Sequence, residues 1–323
     1  MRFVKELFLL NNNVLVISTK QEEKSVSMKE ISQSCLLLND INSKYVISNL
    51  WIKVRNRSLI LLFLLIITFS GFSQKINRVI SLAPSVTENI YLIGEQKKLV
   101  GCTSYCSLAL ADGVEQVGST VDVNIEKILS LQPDLVLTML MTKSQDIEAM
   151  RKLGINVEVL QTPVNFSEIC EQTLHIAELL GNRGQAEKII ERTKEQVESL
   201  KQVSLKSEKR EFFFQIGANP IFTVLPNTFM NDFILFCNGE NIAGEMKRGT
   251  MTRESVLLKN PDVIIIATMG GFGKEEMTKW KSYEGLKAIE KGKIFLVDSE
   301  TSCSPTPNNF LQAFTDIVNF LNR

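Results

Sequence analysis

The stretch NIEKILSLQPDLVL (124–137) returns in pattern 128 residues further on, as TRESVLLKNPDVII (252–265). Each copy has a polar residue, a glutamate two places later (Glu126 or Glu254), an apolar-periodic run, Pro-Asp and a short apolar run. The polar residue is typical of a helix start, and a proline followed by a short apolar run predicts a helix end and then a strand. The same helix and strand are therefore predicted twice, with an acid at the same place in each.

Short apolar runs alternate with amphipathic stretches on both sides of these copies. The predicted strands are RVISLAP (78–84), KLVGCTS (98–104), DLVLTML (134–140), NVEVLQ (156–161), EFFFQIG (211–217), DVIIIAT (262–268) and KIFLVDS (293–299). Helical patterns of about ten residues separate most of them, an arrangement typical of mostly parallel sheets.

The middle of the chain has a different pattern. Residues 166–203 are predicted to be helical, with one interruption at GNRG (181–184). In QAEKIIERTKEQVESLKQ (185–202) the apolar residues recur along one helical stripe, which predicts a long amphipathic helix. The predicted fold class is α/β, with two pseudo-equivalent lobes (76–162 and 206–323), a helical connector (163–205) and a ligand cleft between the lobes.

Residues 51–73 have the layout of a signal peptide. A basic stretch with Lys53, Arg55 and Arg57 precedes the apolar run 59–69, and small residues follow before Gln74. The run is shorter than a membrane-spanning helix requires, although an uncleaved anchor or a buried helix is the alternative. No cysteine follows it to carry a lipid anchor, so we expect export to the periplasm. Residues 1–50 are predicted to be a leader that results from a start assigned too early, or a disordered extension.

Composition and cysteine usage exclude several kinds of function. Lysine plus arginine and aspartate plus glutamate are equal at 36 each, so nothing recommends a nucleic-acid partner. Five cysteines follow the leader: Cys102, Cys106, Cys170, Cys237 and Cys303. Their spacing does not fit a zinc site, and buried thiols or a single bridge are expected.

Sequence motifs for catalysis are missing. MGGFGKEE (269–276) follows a strand but does not complete a phosphate-binding loop, and there is no GxSxG motif. The single histidine, His175, lies between apolar neighbours in a predicted helix, where we expect it to pack. The protein is therefore predicted not to be an enzyme, and no catalytic or metal-ligating residue is assigned.

Candidate ligand-facing residues lie where predicted strands end. Pro84 closes SLAP (81–84) before a helix, and Tyr105 follows the second strand. Phe222 lies in GANPIFTVLPN (217–227), which we predict to be a loop, and Asp298 opens the polar loop SETSCSPTPN (299–308). In a sheet of parallel strands such positions border the ligand crevice.

These segments, in their order, resemble exported substrate-binding proteins of bacterial ABC importers for chelated metals. The likeness is carried by NRVISLAPSVTENIYLIG (77–94), LVGCTSYC (99–106), VNIEKILSLQPDLVL (123–137), FFFQIGANPIFT (212–223), FCNGENI (236–242), TRESVLLKNPDVIII (252–266) and IFLVD (294–298). It covers about residues 76–323 and is greatest to the member that captures vitamin B12. The resemblance implies a shallow cleft, a rigid connector, and one glutamate per lobe, here Glu126 and Glu254, that docks onto the permease dimer.

The resemblance also implies a ligand site. Tyr105, Phe222 and Asp298 match positions that face the corrinoid in the B12-binding member. That member has a tryptophan shortly before each docking glutamate, whereas Val121 and Arg248 lie nearest to those places here. The cysteine matching Cys237 is disulfide-bonded there to a last-helix cysteine that this chain lacks.

We therefore expect a monomeric periplasmic receptor without a covalent cofactor. Its predicted ligand is a corrinoid, or alternatively a ferric siderophore or haem, because Arg248 suits an anionic chelate. Outside the class of transport receptors, the alternative is a signalling or structural protein that kept the fold but lost transport.

Overall fold

The computed structural model describes residues 75–267 and 271–323. The predicted leader (1–50) and signal peptide (51–73) lie outside this range. Within the described part of the chain, no helix combines the length and the apolar character needed to cross a membrane.

Five parallel strands form the first sheet, in the order β3-β2-β1-β4-β5. They are β1 (Val79–Ser81), β2 (Leu99–Cys102), β3 (Glu115–Gln116), β4 (Leu135–Met139) and β5 (Val157–Leu160). The helices of this lobe are α1 (Pro84–Leu92), α2 (Ser107–Ala111), α3 (Ile125–Ser130) and α4 (Ser144–Lys152), with a 3-10 turn at Gln96–Lys98. Every residue of β1 and β4 is buried, as expected when helices cover both faces of a parallel sheet.

Two helices, α5 (Phe166–Leu179) and α6 (Arg183–Ser204), connect the two sheets. The predicted interruption is confirmed between them. Ala186, Ile190 and Val197 of the predicted stripe are buried, and Ile189 and Leu200 are half-buried.

The second sheet has six strands and is mixed. Its order is β11-β10-β6-β7-β9, and β8 also pairs with β6. The strands are β6 (Arg210–Ala218), β7 (Ile221–Thr223), β8 (Gly239–Asn241), β9 (Thr250–Met251), β10 (Val263–Ile266) and β11 (Ile294–Leu296). The helices are α7 (Asn231–Phe236), α8 (Arg253–Lys259), α9 (Gly273–Lys281), α10 (Lys287–Glu290), α11 (Ser299–Ser302) and α12 (Pro307–Leu321). Pairs that involve β7 are antiparallel, whereas the other pairs of this sheet are parallel.

An aromatic stack joins the connector to the second lobe. The ring of Phe310 in α12 lies 4.5 Å from the rings of both Phe166 in α5 and Phe233 in α7, between centroids. One apolar cluster continues from β1 and α1 through both connecting helices to β6, β10 and α12. The two sheets therefore share a continuous core along the connector.

The repeated passage folds into a side-chain-capped helix followed by a strand in both copies. Asn124 and Thr252 cap α3 and α8, which confirms the helix starts predicted for them. The residue before each proline, Gln132 or Asn260, has a left-handed φ of 45°. A proline disfavours the right-handed helical conformation in the residue before it, so each helix must end there.

The aspartate of each Pro-Asp pair ties its strand to the first strand of the same sheet. Asp134 Oδ2 accepts hydrogen bonds from the backbone N–H groups of Asn77 and Arg78 at 2.8 and 2.9 Å. Asp262 Oδ2 accepts one from the N–H of Glu211 at 2.9 Å. The aspartate N–H groups donate back to Arg78 O and Glu211 O. Each Pro-Asp thus sets the register of a central strand pair, β1 with β4 or β6 with β10.

Three sequence expectations are wrong. Phe222 lies in strand β7 rather than in a loop, because the chain folds back antiparallel onto β6. The amphipathic stretch KEEMTKWKSYEGLKAI (274–289), whose pattern predicts one helix, instead belongs to two helices, since Gly285 has a left-handed φ of 79° between them. His175 is not packed: its side chain is 46% exposed and its Nε2 lies 2.7 Å from Glu158 Oε1, because it lies off the buried stripe of α5.

Candidate functional site

The loop between β2 and α2 presents Tyr105 to solvent. The residue follows the carboxyl end of a parallel strand, as predicted, and is 72% exposed. The N–H of Ser104 donates to Gly118 O at 2.9 Å. This bond holds the Tyr105 loop against the segment that leads to Val121.

Val121 lies in a tight turn beside the loop that follows β4. The turn is closed by Ser119 and Asp122, whose backbone N–H groups donate to Asp122 O and Ser119 Oγ respectively. Thr142 Oγ1 donates to Thr120 O at 3.0 Å and joins the turn to the post-β4 loop. The first lobe therefore brings Tyr105 and Val121 to one edge of its sheet, while Pro84, at the start of α1, follows the neighbouring strand β1.

Leu140 and Met141 lie at the same edge and were missed by the sequence reasoning. They follow β4 directly and are 60% and 65% exposed, unusual values for adjacent large apolar residues. The apolar run of DLVLTMLM (134–141) extends beyond the five buried residues of β4, and that excess length was the available signal. The edge thus exposes an apolar surface next to Tyr105 and Val121.

In the second lobe, β7 and β9 place Phe222 beside Arg248. Phe222 pairs with Thr250, and the N–H of Thr223 donates to Gly249 O at 2.7 Å. Both Phe222 and Arg248 have exposed side chains. An aromatic surface and a cation therefore lie on adjacent backbone segments.

Asp298 and Phe272 follow the neighbouring strands of this sheet. Asp298 comes two residues after β11 and caps α11, since its Oδ2 accepts from Thr301 N and Oγ1 at 3.1 and 3.0 Å. The polar loop predicted to start here is thus partly helical. Phe272, which precedes α9 after β10, is 50% exposed, although its glycine-rich context MGGFGKEE does not predict an aromatic contact surface.

Glu88 joins the two carboxyl-end edges across the lobes. It lies in α1, which follows β1, and its Oε2 accepts from Ser304 Oγ at 2.6 Å and from Asn309 Nδ2 at 2.7 Å. Burial raises the pKa of Glu88, the two hydrogen bonds oppose that rise, and the nearby Glu300 carboxylate adds to it. The contact brings the start of α1, with Pro84, close to the segment that follows Asp298.

The raised pKa predicts that Glu88 weakens the fold as pH increases. Its stabilising contribution should be complete below the ordinary value of 4.5 and should be lost as pH rises through the higher folded-state pKa. We expect Glu88→Gln, which keeps an acceptor for Ser304 and Asn309, to remove this loss. Thermal unfolding of both proteins from acid to neutral pH should show the variant gaining stability over the wild type as pH rises. Glu148→Gln, at an exposed position of α4, should show no such gain. A parallel response of Glu88→Gln and the wild type would contradict the prediction.

Glu126 and Glu254 are both exposed in the first turn of their helices, as predicted. Asn124 Oδ1 accepts from Lys127 N at 2.9 Å, and Thr252 Oγ1 accepts from Ser255 N at 3.2 Å. The backbone N–H of Glu254 and the Thr252 hydroxyl lower the pKa of the Glu254 carboxyl. Both side chains are exposed to solvent, although the Glu254 carboxylate also accepts hydrogen bonds at the start of its own helix.

A cavity of about 850 Å³ lies between α6 and α12, and none of the six predicted ligand-facing residues lines it. Among the described residues no three histidine, cysteine, aspartate or glutamate side chains are grouped to hold a metal ion. The five cysteines after the leader are free thiols, four of them buried and Cys303 half-buried, in agreement with the expectation.

The family model described as "Periplasmic binding protein" matches residues 79–301. The chain belongs to this periplasmic binding protein family. The match covers both sheets and the connector. It confirms the resemblance and, with it, the predicted fold class of two α/β lobes.

The proteins similar to this periplasmic binding protein do not all bind the same ligand. An uncharacterised ABC transporter substrate-binding lipoprotein, YvrC of Bacillus subtilis, is 28% identical over 69% of this chain and 73% of its own length. A vitamin B12-binding protein of Yersinia pestis is 30% identical over 60% of this chain and 71% of its own.

The structural comparison agrees on the fold. The vitamin B12-binding protein BtuF of Vibrio cholerae has a TM-score of 0.67 at 24% identity, covering 77% of this chain and 97% of that one. The haem-binding protein BhuT, solved with two haems, has a TM-score of 0.66 at 17% identity, covering 76% and 97%. These relatives are substrate-binding proteins, which agrees with the prediction that this family member is not an enzyme.

Proposed function

We propose that this periplasmic binding protein captures a metal chelate between its lobes and delivers it to an ABC importer in the inner membrane. The observation that carries the proposal is the exposure of large apolar and aromatic side chains in the loops after strands, and in the short strand β7, of the two sheets. These side chains are Tyr105, Leu140 and Met141 in one lobe, and Phe222 and Phe272 in the other. Folded proteins rarely leave such residues together in solvent without a binding role.

We favour a corrinoid as the chelate. A corrin ring has broad apolar faces and a rim of amide groups, so it needs flat apolar contacts and a few hydrogen-bonding groups. Tyr105 and Phe222 supply aromatic surfaces from opposite lobes, and Asp298 supplies an acceptor for an amide. Leu140, Met141 and Phe272 provide part of the apolar surface that is lost because this chain lacks the two tryptophans. The similarity to a vitamin B12-binding protein at 30% identity supports this choice.

A ferric siderophore or haem is the second candidate. Arg248 is an exposed cation next to Phe222, and an arginine can pair bidentately with a carboxylate of an anionic chelate. Similarity in fold to a haem-binding protein is compatible with this alternative. The positive charge of Arg248 beside Phe222 is thus the feature that favours an anionic chelate over a corrinoid.

Docking to the permease is assigned to Glu126 and Glu254. Each is exposed at a helix start, and the two helices occupy equivalent places in the repeated passages. A permease dimer with two-fold symmetry would present the same arginine surface to each acid. The receptor itself is proposed to act as a monomer.

Calorimetric titration of the mature protein with cyanocobalamin tests the ligand proposal. We expect a Kd of about 1 µM or tighter. Ferric siderophores and haemin, titrated in parallel, should bind more weakly. An absence of heat with cyanocobalamin and tight binding of an anionic chelate would replace the first candidate with the second, and no binding of any chelate by the folded protein would contradict both.

Single substitutions test whether the ligand binds in the cleft between the lobes. Tyr105→Ala and Phe222→Ala should each weaken the affinity about tenfold or more, since buried aromatic contacts dominate such interfaces. Leu153→Ala is the matched control, because Leu153 is 53% exposed but follows α4 at the amino end of β5. An equal effect of all three substitutions would place the ligand elsewhere.

A further inference from the structure

The side chain of Phe222 lies next to two glycines. In β7 the residue pairs with Gly217 of β6, and the segment before β9 places Gly249 on the other side of its ring. A Cβ atom added at Gly217 would lie 3.0 Å from Phe222 Cδ2 and 3.2 Å from Phe222 Cβ. One added at Gly249 would lie 3.8 Å from Phe222 Cδ1. Gly217 and Gly249, together the Phe222 seat, thus let the ring approach the backbone of the sheet.

Gly217 is the closer of the two supports. Carbon atoms in ordinary contact are about 3.5–4.0 Å apart, so the approach at Gly217 leaves no room for a methyl group, whereas the ring at Gly249 does. Neither glycine has a left-handed φ, so the backbone conformation does not require glycine at these places. What Gly217 supplies is therefore the close approach of the Phe222 ring.

The backbone of Gly217 is fixed from below by Gln215, a fully buried residue. Gln215 Nε2 donates to Gly217 O at 3.0 Å and to Glu276 Oε2 at 2.8 Å, and Gln215 Oε1 accepts from Trp280 Nε1 at 2.7 Å. The register of β6 against β7 shifts between Gln215 and Gly217, and such bulges redirect side chains next to binding sites. Gly217 cannot move away from the ring without breaking these buried hydrogen bonds.

The backbone that carries Phe222 is fixed as well. The next residue, Thr223, is buried, its N–H donates to Gly249 O at 2.7 Å, and its hydroxyl donates to Phe214 O at 2.9 Å. Phe222 itself pairs with Thr250 of β9. Because both strands are held, a methyl group at Gly217 would have to turn the ring outward. Phe222 is 45% exposed, so part of the ring is available to a ligand.

We propose that Gly217 is a specificity-determining residue, which seats the Phe222 ring against the sheet so that its outer face stacks on the flat side of a macrocyclic chelate. The inference rests on the proposed function and deepens it, because it names the part of the ligand that this lobe recognises. A ring whose orientation is fixed before binding loses little freedom on contact.

A seated aromatic ring suits one class of chelate. A corrin or porphyrin macrocycle has broad flat faces on which an aromatic ring stacks in an offset arrangement. A ferric ion wrapped by a flexible siderophore has octahedral coordination and offers little flat surface. The Phe222 seat therefore favours a corrinoid or haem, and it disfavours a wrapped ferric chelate.

Calorimetric titration with cyanocobalamin and with haemin tests the role of Gly217. For the macrocycle that the wild type binds, Gly217→Ala should weaken the affinity about tenfold, as Phe222→Ala does. The double variant should bind no more weakly than Phe222→Ala alone, because no ring is left to displace. Gly184→Ala is the matched control in α6, where an added Cβ meets no atom within 4 Å, and should leave the affinity unchanged. Losses that add in the double variant would overturn the proposal.

Urea unfolding of the same four proteins tests the seat without a ligand. Gly217→Ala should lower the midpoint more in the wild-type background than in the Phe222→Ala background, because the ring is the group that it displaces. Equal shifts in the two backgrounds would overturn the seat whatever the ligand. A wild type that binds ferric siderophores but neither macrocycle would overturn the choice of a flat ligand. Unequal shifts in a protein that binds no chelate would contradict the proposed function and leave Gly217 with a structural role only.

Discussion

Replacing both Glu126 and Glu254 by alanine should abolish uptake of the chelate while leaving its affinity for the isolated protein unchanged. Both carboxylates are exposed at helix starts whose backbone donors are already capped by Asn124 and Thr252. Loss of the two proposed charge-assisted pairs with permease arginines should cost more than ~1.4 kcal/mol, the free energy that corresponds to a tenfold change in complex formation. Uptake of labelled chelate by cells that lack their own receptor, together with calorimetry on the purified variant, measures the two quantities separately.

Single variants and a charge-matched control sharpen this test. Glu126→Ala and Glu254→Ala should each have an intermediate defect, because one acid still engages half of the permease dimer. Glu148→Ala with Glu284→Ala removes two exposed acids elsewhere and should leave uptake intact. If the docking acids only stabilised their helices, the double variant would lose about 0.3–1 kcal/mol of unfolding free energy per site and still transport. A loss of chelate affinity would instead assign the acids to the cleft.

The sequence was informative about the fold wherever one physical rule decided the local structure. The two Pro-Asp pairs predicted a helix end and a strand start, and both copies have them. The stripe in 185–202 predicted α6 because burial of one face fixes a helical period. By contrast, β7 and β9 are three and two residues long, and their pairing depends on the chain folding back onto β6. Such short antiparallel pairs leave almost no periodic signal, so Phe222 was assigned to a loop.

Site residues were predictable by position and not by contact. Tyr105 and Asp298 were expected where parallel strands end, and both lie just beyond strand ends. Leu140, Met141 and Phe272 were missed because an apolar residue next to a strand looks like part of the core until burial is known. His175 was misplaced for the opposite reason, since apolar neighbours in sequence lie on different faces of a helix. The bonds from Ser304 and Asn309 to Glu88 span more than 200 residues of sequence and could not have been inferred from either segment alone.

Arg253→Met should strongly destabilise the second lobe. Arg253 begins α8, next to Glu254, and its Nη2 lies 2.5 Å from Oε2 of Glu276, a fully buried residue. The guanidinium also lies 4.8 Å from the centre of the Trp280 ring. Removing one partner of a buried ion pair costs about 3–5 kcal/mol, and here the buried Glu276 charge would keep only Gln215 and the half-exposed Lys279. Chemical denaturation monitored by Trp280 fluorescence and by circular dichroism measures the loss.

The remaining partners of Glu276 limit the loss but do not replace the arginine. Gln215 Nε2 donates to Oε2 at 2.8 Å and Lys279 Nζ lies 3.0 Å from Oε1. Lys279 is half exposed, so Lys279→Met should cost less than about 1 kcal/mol and serves as the matched control. Arg253→Met combined with Glu276→Leu should recover most of the stability, since no unpaired charge then remains. A double variant as unstable as Arg253→Met would show that packing of the arginine, and not the charge of Glu276, carries the effect.

The pH dependence of the Arg253→Met deficit tests the same pairing with an independent sign. Burial alone would raise the pKa of Glu276, but the bonds from Gln215, Arg253 and Lys279 outweigh it, and the folded-state pKa is lowered. In the wild type this contribution is present above the ordinary value of 4.5 and is lost as pH falls through the lower folded-state pKa. Without the arginine, burial dominates and Glu276 takes up a proton more readily in the folded state. The stability deficit of the variant should therefore shrink as pH falls toward 4.5, and a deficit that stays constant would mean that the two charges are not coupled.

The Arg253–Glu276 pair also anchors the first turn of α8, where Glu254 is proposed to dock. Arg253→Met should thus lower uptake even at temperatures where the variant is fully folded, while chelate affinity in the cleft is retained.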